Sequence, residues 1–268
     1  MASRPGSHPA SRTPSRTVVL SPHFDDAALS LAGFLPTVTG PVDVVTVHGG
    51  APAPGAPVSW WDTQCGFSSA AEAHRARLAE DAAACALLGV GQIVLDHPDG
   101  PYAPEDATLH QLEAFLRDLP ADTRILVPLG SNQPDHEAVR RLAMSVLAER
   151  DAPPPWVYAD LPYTGHLPEW GEPGASEALA RSSMCGLAYQ DLLTTHRTTV
   201  RQALTLDDDG WAAKRAAVLC HGSQLAPLAA DHGGFLARTG PLRAELIWSL
   251  EVRDTAPATP APAKAATC

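Results

Sequence analysis

The sequence predicts an α/β protein built on a mainly parallel sheet with helices on both faces. Two observations carry this. Short, β-rich apolar runs at 17–21, 42–47, 92–95, 124–128 and 156–159 have the length and composition of buried strands. Helix-like runs separate them, and such alternation closes most simply into a parallel sheet. A chain of 268 residues is also long enough to bury a sizeable core.

The helical signal is clearest over 70–88. Ser69 and Glu72 have capping-box spacing at its start, and Gly89 is suited to stop it. Residues 49–58 are rich in Gly and Pro and lead into Ser59-Trp60-Trp61-Asp62, a long loop after a strand. Loops at the carboxyl ends of parallel strands carry ligand sites. The other reading is a surface flap that tucks its aromatic rings into the core. Lys214, beside Arg215 on a helical run, reads as a solvated helix face. Residues 1–16 (Ser, Pro, Arg) and 254–268 (Ala, Pro, Thr) have little to bury and read as disordered tails around a single domain over 17–253.

The formal net charge is −11, with 45% hydrophobic and 18% charged residues. An acidic surface repels phosphate backbones and anionic lipid, so neither nucleic acid nor membrane is an expected partner. Five scattered cysteines without a Cys-x-x-Cys pair suit a reducing cytoplasm, and no apolar leader precedes Thr17. The substrate class is left to the site. No motif speaks to oligomeric state.

Two segments carry chemistry. Ser21-Pro22-His23-Phe24-Asp25-Asp26-Ala27 follows the first strand and opens a helical pattern. Its carboxylates fall at a helix start, where the dipole favours their charge. Ser131-Asn132-Gln133-Pro134-Asp135-His136-Glu137 follows the fourth run and opens another helix, with Pro134 near its first position. If both strands end side by side, His23, Asp26 and His136 come within reach of one ion. Two imidazoles and a carboxylate with an open position suit a hydrolytic zinc centre, and Fe²⁺ or another divalent ion fits the same donors.

These segments resemble the PIG-L/LmbE-type metal-dependent N-deacetylases. The likeness rests on Pro22-His23-Phe24-Asp25-Asp26 and Pro134-Asp135-His136. Support comes from Arg77-Leu78-Ala79-Glu80-Asp81, Leu95-Asp96 with Pro98-Asp99 and Tyr102, Tyr158 to Tyr163, and Lys214 with Ser223-Gln224. The resemblance implies a Rossmann-like fold, Zn²⁺ held by His23, Asp26 and His136, Asp25 as general base, and a small-molecule N-acylated substrate such as an amino sugar, a thiol conjugate or a natural-product intermediate. Asp135, beside a ligand, is suited to orient an imidazole or simply to charge a helix start. Asp99, Tyr102, Asp160 and Tyr163, at or beyond strand ends, are candidate substrate contacts. Trp60 and Trp61 are suited either to stack on a sugar ring or to pack in the core.

One position departs from the pattern. Many members have a histidine before Pro-Asp-His, and here Gln133 stands there. An amide can donate to an oxyanion but cannot titrate. Either Asp25 handles both proton transfers, or His48, His97 or His166 supplies the missing group. The competing readings are a metal-containing binding protein without catalysis and an amidase for a different C–N bond.

Overall fold

The computed structural model describes residues 14–150 and 152–253. The expected tails fall almost wholly outside that range. Arg16, assigned to the first tail, instead begins a strand and bonds Asp43 at 2.8 Å.

In chain order the elements are β1 (Arg16–Ser21), α1 (Asp26–Leu31), β2 (Val42–Thr46), α2 (Trp60–Gln64), α3 (Ala70–Leu88), β3 (Gly91–Val94), α4 (His110–Asp118), β4 (Thr123–Pro128), α5 (Pro134–Glu149) and β5 (Trp156–Tyr158). They continue with α6 (Ala175–Leu179), α7 (Leu187–Thr195), β6 (His196–Thr205), α8 (Asp208–Leu219), α9 (Gly222–His232) and β7 (Ala244–Val252). The sheet order is β3-β2-β1-β4-β5-β7-β6. The first five strands are parallel, and β7 and β6 add an antiparallel edge.

Strand residues alternate between two faces, as a two-residue period requires. Val18, Leu20, Val127, Val157 and Trp248 pack with Leu112, Leu116, Val139 and Ala143 of α4 and α5. Val19, Leu126, Tyr158 and Ile247 pack with Ala27 and Leu31 of α1 and Cys85 of α3. Helices therefore cover both faces. A third cluster joins Leu29 of α1 to Trp211 and Val218 of α8, Leu228 of α9, and Leu161 and Phe235.

The expected strands and the helix over 70–88 are all present. Ser69 Oγ accepts from Glu72 N at 3.2 Å, and Gly89 ends α3 at φ 69. The Glu72 carboxylate reaches Ser68 Oγ rather than closing the reciprocal half of the box. The antiparallel β6 and β7 were not expected. β6 is a polar, largely exposed edge strand, so it lacks the apolar run that marks a buried one. Lys214 also departs from its reading: it is fully buried, with Nζ 2.7 Å from Glu245 Oε1, instead of lying on a solvated face.

Chain direction places the site. From β1 the chain proceeds to β2 on one side, while β4 pairs with β1 on the other. The crevice beyond the carboxyl ends of β1 and β4 is thus the switch point of the sheet, where α/β folds bind ligands.

Candidate active site

The first segment leaves β1 at Ser21, whose hydroxyl donates to His23 O at 2.6 Å and accepts from Ala27 N at 3.0 Å. That tight turn points Asp26 back over its own entry, and Asp26 Oδ2 accepts the backbone N–H of His23 at 2.8 Å. The second segment leaves β4 through Gly130, at φ 87, and Asn132, at φ 57, and enters α5 at Pro134. His136, on the first turn of α5, is wholly buried.

The two turns meet at Asp26. Its Oδ2 lies 3.3 Å from His23 Nδ1 and 3.2 Å from His136 Nε2. His23, Asp26 and His136 each present one donor atom, all within 4.8 Å of one another. His136 Nδ1 donates to Asp160 Oδ1 at 2.9 Å. That bond fixes the tautomer and leaves the Nε2 lone pair facing the carboxylate, buried and without a hydrogen-bond partner among the described residues. An orphaned buried acceptor beside a carboxylate fits a cation. Burial pulls the His136 pKa down, but the Asp26 charge and the Asp160 hydrogen bond outweigh it and raise it to about 9. Burial opposes protonation of His23 as well, yet its hydrogen bonds to Asp135, Asp26 and Asp99 lift its pKa well above the usual imidazole value. The surrounding carboxylates demand positive charge, which a divalent ion would supply while leaving the imidazoles neutral.

Asp25 lines the same cleft and contributes no donor atom to that set. Burial first and the Asp26 charge second push its pKa up to about 6. Asp26 is held strongly ionised: burial opposes this, and the His136 charge and hydrogen bonds overcome it.

Other expected residues gather here. His23 Nε2 lies 3.4 Å from both Asp99 Oδ1 and Asp135 Oδ2. Asp135 thus faces His23, the imidazole of the other segment, rather than its neighbour His136. Gln133 and Tyr163 line the cleft, and the His136 and Tyr163 rings meet edge to face at 5.7 Å. The Tyr102 O–H donates to Asp62, and its oxygen accepts from Ser59 N at 2.9 Å. Asp160 is a correction. It does not line the cleft but lies beneath His136, accepting from Gly130 N at 2.6 Å and Ser131 N at 3.0 Å. A side chain so enclosed cannot meet substrate; it aims the imidazole above it.

Of the three histidines offered as replacements for the missing one, only His48 lines this cleft, stacked on His23 at 5.5 Å. His97 is buried elsewhere and accepts from Leu112 N at 3.2 Å. His166 faces His232 at 2.8 Å beside an adjoining cleft. The sequence reading passed over His74 and His221, which line the site, and Asp62, which binds Arg77. Each is a lone polar residue on or near a helix, with no local pattern to mark it. His74 and Arg77 do fall at helical spacing on the buried side of α3, and polar residues on an inward stripe are the signal available.

The loop after β2 is not a free flap. Ser59 caps α2 by accepting from Asp62 N at 3.0 Å, and Asp62 binds Arg77 of α3 and Tyr102. The Trp61 indole donates to Gln224 Oε1 at 2.8 Å and the ring walls the cleft, whereas Trp60 stays exposed. The cleft encloses about 250 Å³.

Residues 18–147 match the PIG-L family model, GlcNAc-PI de-N-acetylase. The resemblance to PIG-L holds. The matched segment runs from β1 to α5 and contains His23, Asp25, Asp26 and His136. Among solved structures, the PIG-L-like chain is similar to the zinc inhibited form of teicoplanin deacetylase Orf2. The two are 22% identical, with TM-score 0.65 and coverage of 90% of this chain and 100% of that one. It is also similar to Dbv21, an A40926 pseudoaglycone deacetylase, at 24% identity, TM-score 0.62 and coverage of 88% and 97%. GalB of Pseudomonas putida, a 4-carboxy-2-hydroxymuconate hydratase, shares the fold at 18% identity, TM-score 0.52 and coverage of 88% and 95%. No curated protein matches the chain. Two reactions on one fold mean that function must be argued from the site.

Proposed function

We propose that this protein is a metal-dependent N-deacetylase acting on an N-acylated small molecule. The observation that carries this is the convergence of His23, Asp26 and His136 on one point, with the uncommitted carboxylate of Asp25 beside it. His23 Nδ1, Asp26 Oδ2 and His136 Nε2 are the donors suited to hold the ion. A divalent ion there supplies Lewis-acid polarisation of an acyl oxygen and acidification of water, and zinc fits this donor set.

The chain's own residues do the rest. Asp25, ionised near neutral pH, takes a proton from the attacking water and returns it to the departing amine. Gln133 offers an amide N–H₂ towards the developing oxyanion without titrating. Tyr163 stays protonated, because burial and then the nearby Asp26 charge raise its pKa, so its hydroxyl can donate as well. Asp160 and Asp135 hold His136 and His23 in orientation. No helix among the described residues is long and apolar enough to cross a membrane.

The test is an assay of the zinc-loaded protein against N-acetylated amino sugars, amino acids and thiol conjugates, with detection of the released amine. Hydrolysis that Asp25→Asn lowers by ~10²–10⁴-fold at unchanged metal content is expected. Ligand binding without amine release from any member would favour the binding-protein reading.

A further inference from the structure

The charge inventory of the cleft is one-sided. Among the described residues, Asp25, Asp26, Asp62, Asp99 and Asp135 line it, against a single guanidinium, that of Arg77. Arg77 is already committed: it binds Asp62, and its Nη1 lies 3.8 Å from Asp99. Five carboxylates against one guanidinium leave four negative charges, and a divalent ion would cancel two of them. No lysine among the described residues lines the cleft. Of these groups Asp135 is the most open. Its Oδ2 lies 3.4 Å from His23 Nε2, and its side chain is 39% exposed.

A second observation is independent of the carboxylates. His221, at the start of α9, also lines the cleft and is 2% exposed, yet its Nε2 has no hydrogen-bond partner among the described residues. Burial, only partly opposed by the Asp26 charge, lowers its pKa to about 4, so it adds no positive charge near neutrality. An unpaired buried imidazole nitrogen is costly unless a ligand meets it. The cleft thus has unmet hydrogen-bonding capacity and no unpaired cation, which describes a host for donor-rich, non-anionic ligands.

We propose that the cleft selects a substrate whose scissile N-acyl group sits on a hydroxylated scaffold bearing a second, free ammonium and no phosphate or carboxylate, with Asp135 anchoring that ammonium. This rests on the hydrolase reading only for the position of the acyl group. A phosphate near the site would meet uncompensated carboxylates, whereas an ammonium would relieve them. The amine formed on hydrolysis is itself protonated and leaves as a cation.

The experiment uses zinc-loaded full-length protein and three matched substrates: N-acetylglucosamine, its 6-phosphate, and the 6-amino-6-deoxy analogue. kcat and KM are measured at low and high salt, and binding of the three corresponding free amines to the Asp25→Asn variant is measured by calorimetry. The 6-amino compound is expected to have a KM at least tenfold below the neutral sugar at low salt. High salt should shrink that gap. The 6-phosphate is expected to be at least tenfold worse than the neutral sugar. Asp135→Asn should erase the preference for the 6-amino compound over the neutral sugar when both are compared at saturating zinc, with occupancy read by atomic absorption, because the same side chain also holds His23. Equal or better use of the phosphate ester would overturn the proposal. A preference that survives in Asp135→Asn would overturn the anchor. If nothing is hydrolysed but the free amines bind in the stated order, the deacetylase reading fails and this inference stands.

Discussion

Asp160 sets the direction of His136, and its effect can be measured without any substrate. Replacing it with Asn removes the charged acceptor for His136 Nδ1. Zinc affinity, read by competition with a chromophoric chelator, should fall ~10–100-fold. Asp25 makes a different prediction. It must be ionised to accept a proton, and burial followed by the Asp26 charge places its pKa at about 6. The acid limb of the pH–rate profile should therefore have its midpoint at or below about pH 6. A bound cation moves it lower, and Asp25→Asn removes it. The convergence of His23, Asp26 and His136 was legible in the sequence because each sits at a strand-to-helix junction, where a short motif fixes position and orientation together. Asp160 was legible as a strand-end residue but was assigned the wrong role, since sequence does not say whether a side chain at a strand end points up into the cleft or down beneath a neighbour. His221 carries no such local signal; only the folded chain brings it to the wall.

Among the elements, α3 shows how a helix can be foreseen from its ends while its face goes unread. Its inward face carries the half-buried His74 and Arg77 and the buried Asp81 beside small residues, so apolar periodicity is weak and the capping residues identify it instead. Asp81 is 2% exposed, accepts from Gln92 Nε2 at 2.7 Å, and is pushed by burial from 3.8 to about 6. Because the folded value lies above the unfolded one, the folded state binds the proton more tightly. The stability linked to Asp81 is thus complete below about pH 3.8 and is lost as pH rises through about 6. Asp81→Asn should flatten that fall and, at pH 7–8, stabilise the protein by on the order of 2–3 kcal/mol in urea titrations. The turn before α5 is the opposite case, where substitution can only harm. At Gly130, φ is 87 and a Cβ would lie 2.8 Å from Glu137 Cα. Gly130→Ala should cost at least about 1–3 kcal/mol in backbone strain and lower zinc occupancy, because the same turn presents His136. The edge strand β6 escaped the sequence reading because an exposed antiparallel strand needs no apolar face.

Across the whole molecule, a buried polar cluster ties distant parts of the chain. Lys214 of α8 and Glu245 of β7 form a fully buried pair at 2.7 Å, and Glu245 also accepts from Gly33 N and Phe34 N, each at 2.8 Å, just after α1. Lys214→Met strands a buried carboxylate and should destabilise the fold by ~3–5 kcal/mol, measured by thermal or denaturant unfolding. The sheet itself offers another tie. His23 and Asp26 follow β1, His136 follows β4, and the two strands are hydrogen-bonded in register from Arg16↔Thr123 to Val19↔Leu126. A slip of one residue would carry one donor about 3.3 Å past the others, farther than the 3.2 Å that now separates Asp26 Oδ2 from His136 Nε2. Capture of a cation would therefore be conditional on correct strand alignment, and an ion held there would act as a checkpoint on assembly: chains that zip up out of step would forfeit it, and those that close properly would be clasped across the middle of the sheet.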